Sequence, residues 1–287
     1  MPQEEKHELI LTEENYHSVE ARKAYLGFSQ FKDFEECEVM AMAKINGEYD
    51  PPSTEALLFG SWVDAHFSGT ETKFIEENKD KLYSPKTGKL YAAFVGVEKV
   101  INFIENYTNE DGEKILLKYW SGEHQVIMTG VIAGVPVKIK IDSYFIGRAI
   151  VDGKCMKDLN KVWVDKKDGG RALLDYISAY DYPMEGALYQ EVEHQNALKN
   201  DSSAKKLPFI LNVATKEEVP NADLVLIDQD ILDQRLEYFK EKAPRYQRIK
   251  MGLEKPIGCG KCPVCVSKKQ IFAPKSYRQL YLDEEEE

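Results

Sequence analysis

Asp142, Asp152 and Lys154 are the side chains whose types and spacing promise chemistry. Val137, Ile139 and Ile141 alternate with Lys138, Lys140 and Asp142, the period of two that marks a strand with one apolar face. Ten residues after Asp142, beyond a turn at Gly147, comes Asp152-Gly153-Lys154. A hairpin of that length sets the two aspartates side by side on neighbouring strands, and Lys154 projects to the face of Asp152. Two carboxylates beside a lysine suit a hard divalent cation bound through oxygen, usually Mg2+. Such a centre fits phosphodiester hydrolysis: metal ions stabilise the developing charge and lower the pKa of a water. The lysine then orients or deprotonates that water, or offsets charge on the phosphate. An Asp-x-Lys tripeptide alone is common, and a plainer reading makes both aspartates turn-flanking acids. The upstream aspartate, the strand context and the apolar run Ala149-Ile150-Val151 favour the functional reading. Glu123, just before the first strand, is a candidate outer ligand or simply a solvated turn acid.

A second group lies near the C-terminus, where Cys259, Cys262 and Cys265 form a double CxxC. The short turn aims neighbouring sulfurs at one point, as a soft-metal site requires. Three thiolates leave a tetrahedral site one ligand short, and the remaining cysteines are Cys37 and Cys155. In a reducing compartment these five are not disulfide partners.

Both groups must be positioned by the elements around them. Apolar spacing predicts helices over 12–26 and 29–45, the second with Ser29 as N-cap and Phe34, Cys37 and Ala41 at helical intervals. A loop over 46–53 leads to a helix capped by Ser53 or Thr54 that runs to about Phe67, and 71–80 and 91–107 follow as helices. From 124 to 154 the pattern is a three-stranded meander turning at Gly134-Val135-Pro136 and at Gly147. A helix over 172–197, interrupted near Asp181-Tyr182-Pro183, precedes strands over 209–216 and 224–228 and a helix over 228–252. This order predicts an α/β fold, a mixed sheet flanked by helices with a helical N-terminal elaboration. The expected divisions are 1–53 with Cys37, a core over 54–252, the cysteine loop 253–275 and an acidic tail 276–287.

Taken in order, these segments resemble the PD-(D/E)XK nuclease superfamily, in its RecE and lambda-exonuclease-like phage branch, over most of residues 29–272. Lys140-Ile141-Asp142 matches the strand with the first catalytic acid, and Val151-Asp152-Gly153-Lys154 matches the second acid and the lysine. Gly60-Ser61-Trp62-Val63-Asp64 falls where these nucleases carry a Gly-x-x-x-His helix, with Asp64 in place of the histidine. An aspartate can still ligate or position the metal, or stand as a partly buried helix acid. His66, two residues on, faces away from Asp64 on a helix and reads as a packing or surface histidine. The segment from Tyr180 to Tyr189 resembles a Gln-x-x-x-Tyr helix, with Glu185 for the glutamine. Glu185 and Tyr189 share a helix face and could line a DNA path; Tyr189 could equally be core. Cys155 stands where the family often has a hydroxyl and reads as a small buried residue.

What the resemblance implies is a restriction-endonuclease-like fold and a Mg2+- or Mn2+-dependent DNA exonuclease of phage or prophage recombination. It would degrade the 5′-ended strand of duplex ends and pass the overhang to a single-strand annealing protein of the RecT or Red-beta kind. Asp142, Asp152, the Gly153 carbonyl and Asp64 would hold metal, with Lys154 activating water and Lys140 near the DNA. Some relatives hold a 4Fe–4S cluster with one cysteine before the nuclease core and three after it. Cys37 with Cys259, Cys262 and Cys265 has that topology, with structural zinc as the alternative. Homo-oligomerisation is a further implication, since some relatives form rings. The rival from another class is a non-catalytic, metal-stapled adaptor with a retired nuclease core.

Composition bounds all of this. At 287 residues, 43% apolar and 30% charged, the chain can bury a full core and is neither disordered nor fibrous. It shows no long apolar run or signal-peptide pattern and reads as cytoplasmic, in a bacterial host. The net charge of −11, taken alone, argues against a nucleic-acid binder, although five of the acids lie in Asp283–Glu287. Lys138, Lys140, Lys154, Lys157, Lys161, Lys166 and Lys167 are the expected local basic patch.

Overall fold

The split between two strands organises this molecule. The computed structural model describes residues 9–165, 169–271, 273–274 and 276–277. Strands β1 (Glu123–Ile132), β2 (Val135–Phe145) and β3 (Ala149–Met156) form an antiparallel meander. The β1–β2 turn is the pair Ala133-Gly134, both at positive φ, so Val135 and Pro136 already belong to β2 rather than to the turn. Two short strands not expected from the sequence, β4 (Val162–Asp165) and β5 (Arg171–Leu174), make a separate hairpin that takes the start of the predicted 172–197 helix. Strand β6 (Phe209–Thr215) joins β3 in parallel, and β7 (Ala222–Leu226) closes the mixed five-stranded sheet in the order β1-β2-β3-β6-β7.

β2 and β3 pair only from Ser143–Val151 to Phe145–Ala149. Beyond Ser143 they separate. β3 continues along β6, and the freed edge of β2 is met by Leu26, whose N–H and carbonyl bond to Pro136 O at 2.8 Å and Lys138 N at 3.2 Å. Asp142 and Asp152 are the next residues in the register, so the two acids stand where the sheet opens.

Helices cover both faces. Before the sheet come α1 (Val19–Ala24), α2 (Phe28–Glu36), α3 (Glu38–Ile45), α4 (Glu55–Phe67), α5 (Glu71–Glu77), α6 (Lys79–Leu82), α7 (Val97–Asn106) and α8 (Ile115–Trp120). After it come α9 (Tyr176–Tyr180), α10 (Tyr182–Asn200), α11 (Gln229–Lys250) and α12 (Pro263–Ser267). The larger core joins Val137, Ile139 and Ile141 of β2 to Met184, Leu188 and Val192 of α10 and to α11, and it takes in Phe31, Phe34 and Ile45 from the N-terminal helices. The smaller core lies under α4, α7 and α8 around Trp62, Phe94 and Ile104. Burial on this scale, at roughly 25 cal/mol per Å² of apolar surface, is what holds the layers together.

Two expected helices are broken for tertiary reasons. The 29–45 segment splits at Cys37, whose extended backbone (φ −164°, ψ 113°) turns its thiol toward the C-terminal cysteines. Gly27, not Ser29, occupies the N-cap. The 12–26 segment is helical only over α1, capped by Ser18, because Tyr25 and Leu26 extend to reach β2. Thr54 caps α4 as expected, accepting from Leu57 N. Among the described residues no helix is long and apolar enough to cross a membrane.

Candidate active site

The opening between β2 and β3 is a cavity of about 560 Å³ lined by Asp64, Asp142, Gly153, Lys154, Glu185 and Tyr182, among others. Three directions of chain deliver the acids. Asp142 and Asp152 come from the splayed strands, Asp64 from the C-terminal half of α4, and Glu185 from the first turn of α10, where the helix dipole favours a carboxylate. Asp142 Oδ2 accepts the Gly153 N–H at 3.0 Å, which ties the first acid to the strand carrying the second. Lys154 Nζ lies 2.6 Å from Asp152 Oδ2 and 3.0 Å from Glu185 Oε2, with the Tyr182 ring 5.0 Å away.

Gly153 has a packing reason. Asn212 Nδ2 of β6 donates to Leu116 O at 2.9 Å and anchors α8, which lays Trp120 over the strand. A Cβ at 153 would stand 2.0 Å from Trp120 Cη2, so only glycine fits between the acid and the lysine.

The electrostatics of this pocket are lopsided. Burial pushes Asp142 up to about 7, and Asp64 adds to the rise against Lys154 and the Gly153 N–H. Burial likewise raises Asp152 to about 7, Glu185 to about 7 and Asp64 to about 6. Burial alone would lower Lys154, but Asp152, Glu185 and Asp142 outweigh it and hold the ammonium well above its ordinary range. Asp152 Oδ2 and Glu185 Oε2 are fully buried and, that ammonium apart, have no hydrogen-bond partner. Two buried carboxyl groups, Asp152 and Glu185, and two half-buried ones, Asp64 and Asp142, gather around Lys154, with Lys140 also acting on Asp64. Surplus acid, orphaned oxygens and an all-oxygen donor set fit a hard divalent ion held by Asp64, Asp142 and Asp152.

Other sequence expectations fall differently. Glu185 lines the pocket and is bonded to the lysine. Tyr189 is only 9% exposed and packs edge-on against Phe209, so it offers core packing and little surface for DNA. His66 turns away from the acids and bonds Glu71 at 2.8 Å and Glu105 at 3.1 Å. Cys155 packs against the smaller core, and burial lifts its thiol to about 12. Glu123 is exposed at the start of β1. The basic patch is not continuous: Lys138 is buried against the Tyr16 ring and Lys154 in the acid pocket, while Lys157 and Lys161 are exposed. Lys140 sits 5.6 Å from the Tyr16 ring, and Lys166 and Lys167 lie outside the described residues. Sequence reasoning missed Gln125, whose Nε2 donates to both Asp64 oxygens at 3.0 and 2.9 Å. No spacing or pattern marks it.

The cysteine centre also assembles. Cys37, Cys259, Cys262 and Cys265 bring their sulfurs within 4.8 Å of one another. Cys37 Sγ is 3.6 Å from Cys265 Sγ and 3.7 Å from Cys262 Sγ, and the amides of Lys261 and Cys262 donate to Cys259 Sγ. Those N–H contacts lower the Cys259 thiol to about 7, toward the thiolate a metal needs. Glu38 braces the junction by accepting Ile257 N–H at 2.6 Å and pairing with Arg245.

With sheet, helices and acid pocket in place, the class is that of PD-(D/E)XK-type folds, and comparison bears this out. The family model described as a PDDEXK-like domain of unknown function matches residues 27–268, and the chain belongs to that family. It is similar to a crystal structure from Eubacterium rectale described only provisionally as an exonuclease. The identity is 36% over 95% of this chain and 98% of that one, with a TM-score of 0.83. None of the curated proteins compared with the chain matches it.

Proposed function

We propose that the chain is a divalent-metal-dependent nuclease that hydrolyses phosphodiester bonds at the ends of duplex DNA. The observation that carries this reading is the set of buried and half-buried carboxyl groups around Lys154 where β2 and β3 part. Asp64, Asp142 and Asp152, with the Gly153 carbonyl, would hold Mg2+ or Mn2+, which polarises a phosphoryl oxygen and acidifies a water when bound. Lys154, kept protonated by its acids, orients that water and offsets phosphate charge, which is the part open to an ammonium rather than to a base. Glu185 holds the lysine in line. The exonucleolytic mode is supported by the Eubacterium rectale protein's description. The 5′-to-3′ direction, a role in phage recombination and a single-strand annealing partner rest on the superfamily resemblance.

The test is digestion of end-labelled linear duplex DNA with Mg2+ present and absent. Ordered loss of label from 5′ ends is expected. Undiminished digestion by both Asp152→Ala and Lys154→Ala would remove the assignment, and no digestion by the intact protein would favour a retired nuclease core.

For the cysteines, a single tetrahedral ion such as zinc is the reading we favour over the iron–sulfur cluster implied by resemblance. Zn–S bonds of about 2.3 Å give sulfur separations of roughly 3.8 Å, close to the 3.6 and 3.7 Å found. A cluster spreads its cysteines, since each binds a different iron. Metal analysis of anaerobically purified protein should find one zinc and no visible iron–sulfur band.

A further inference from the structure

Gln125 lies at a distortion of the sheet. It has φ 55°, the left-handed region, within β1, where a residue other than glycine is disfavoured. The ladder pairs His124 with Ser143 and Val126 with Ile141 in one unbroken register, yet the rung between Gln125 and Asp142 is missing. No residue has been inserted; the backbone has rotated in place. Across it, β2 changes phase: Ile141 and Tyr144 both enter the larger core. The carbonyl of Asp142 is meanwhile hydrogen-bonded by the His124 ring at 3.1 Å.

The rotation has one visible result. It places Gln125 Nε2 at 3.0 and 2.9 Å from the two oxygens of Asp64 and 3.5 Å from Asp142 Oδ1. A neutral donor thus stands among three oxygens of two acids that surplus negative charge would otherwise push apart. Asp64 borders both the main cavity and a second hollow of about 300 Å³, which Gln125 and Lys140 also line, so the amide has space to turn into.

We propose that Gln125 is a positioning residue whose amide nitrogen stands in for the divalent cation between Asp64 and Asp142, and that it must turn away before the ion enters. This rests on the reading of those acids as metal ligands. The amide makes Gln125 a built-in competitor with the ion: it keeps the metal-free acids gathered and weakens ion binding.

The experiment is Mn2+ binding by the full chain, followed through the electron paramagnetic resonance of free Mn2+, with Asp152→Asn marking which binding belongs to the acid pocket. Gln125→Ala and Gln125→Gly should each bind Mn2+ about tenfold more tightly than the unaltered protein. In chelator, Gln125→Ala should melt at lower temperature, and Gln125→Gly should lose less because glycine accepts the left-handed backbone. Unchanged or weaker Mn2+ binding in both variants would overturn the stand-in role while leaving the nuclease reading intact. If the unaltered protein shows no Mn2+ binding sensitive to Asp152→Asn, both the inference and the reading beneath it fall.

Discussion

Asp152 is 2% exposed and lies against one ammonium, so its charge is tolerated only with cationic help. Asp152→Asn should therefore lower nuclease activity by about two orders of magnitude or more. In chelator the same variant should melt close to the parent, because the relief of a crowded buried acid is offset by the loss of its ion pair with Lys154, which Glu185 still partners. Activity and melting curves on one preparation check both halves. The pH dependence follows from the raised acids. Between the ordinary carboxylate range near 4 and the folded values of about 6 to 7, the native state holds more protons than the unfolded chain. Metal-free stability should fall as pH rises through that window and level off above it, and saturating Mg2+ should flatten the fall. Lys154, raised rather than lowered, contributes stability that is lost only at alkaline pH. Melting temperatures from pH 5 to 8, with chelator and with Mg2+, measure this; a chelated protein that grows more stable across the window would contradict it. Asp142, Asp152 and Lys154 were legible because a ten-residue spacing and a period of two survive into the structure. Gln125 was not, since its role depends on a rotated backbone that no residue type announces.

At the scale of elements, α8 and β3 are fitted to each other at one point. Gly153→Ala should destabilise the protein by ~1–3 kcal/mol through overpacking against Trp120, measured by urea unfolding. Pairing it with Trp120→Leu should recover part of the loss, while equal losses with and without that change would show that Trp120 is not the obstacle. α10 was foreseen, and its Gly186 packs so closely that a Cβ there would stand 2.4 Å from the Phe209 ring. The hairpin of β4 and β5 was not foreseen, because four-residue strands carry too few alternations to stand out from a helical pattern.

Over the whole molecule, the cysteine centre joins an N-terminal helix break to the chain's far end, across 222 residues between Cys37 and Cys259. Closing so long a loop restricts the unfolded chain, on the order of 5 kcal/mol by loop-closure scaling. Cys37→Ala, or metal removal at the cysteines, should lower the melting temperature and expose the segment after α11 to limited proteolysis, with the sheet's circular dichroism retained. Unchanged proteolysis would mean that packing around Val264 and Met40 holds the end without metal. Net charge is a whole-molecule property too. At −11 the protein should hold DNA weakly away from the pocket, with binding that falls steeply as salt rises.

The amino-acid sequence by itself determined the mixed α/β class, the meander, the acid–acid–lysine set and the cysteine spacing. Each of these is carried by short-range periodicity or by fixed intervals along the chain. Only the tertiary structure decided that β2 and β3 part at the aspartates, that Glu185 joins Lys154 while Tyr189 goes to the core, and that Cys37 breaks its helix to complete the sulfur set. Those outcomes depend on which distant segment fills a given space. Leu26 takes the edge of β2, Trp120 covers Gly153, and Gln125 gathers Asp64 to Asp142, contacts set by packing between elements far apart in the chain.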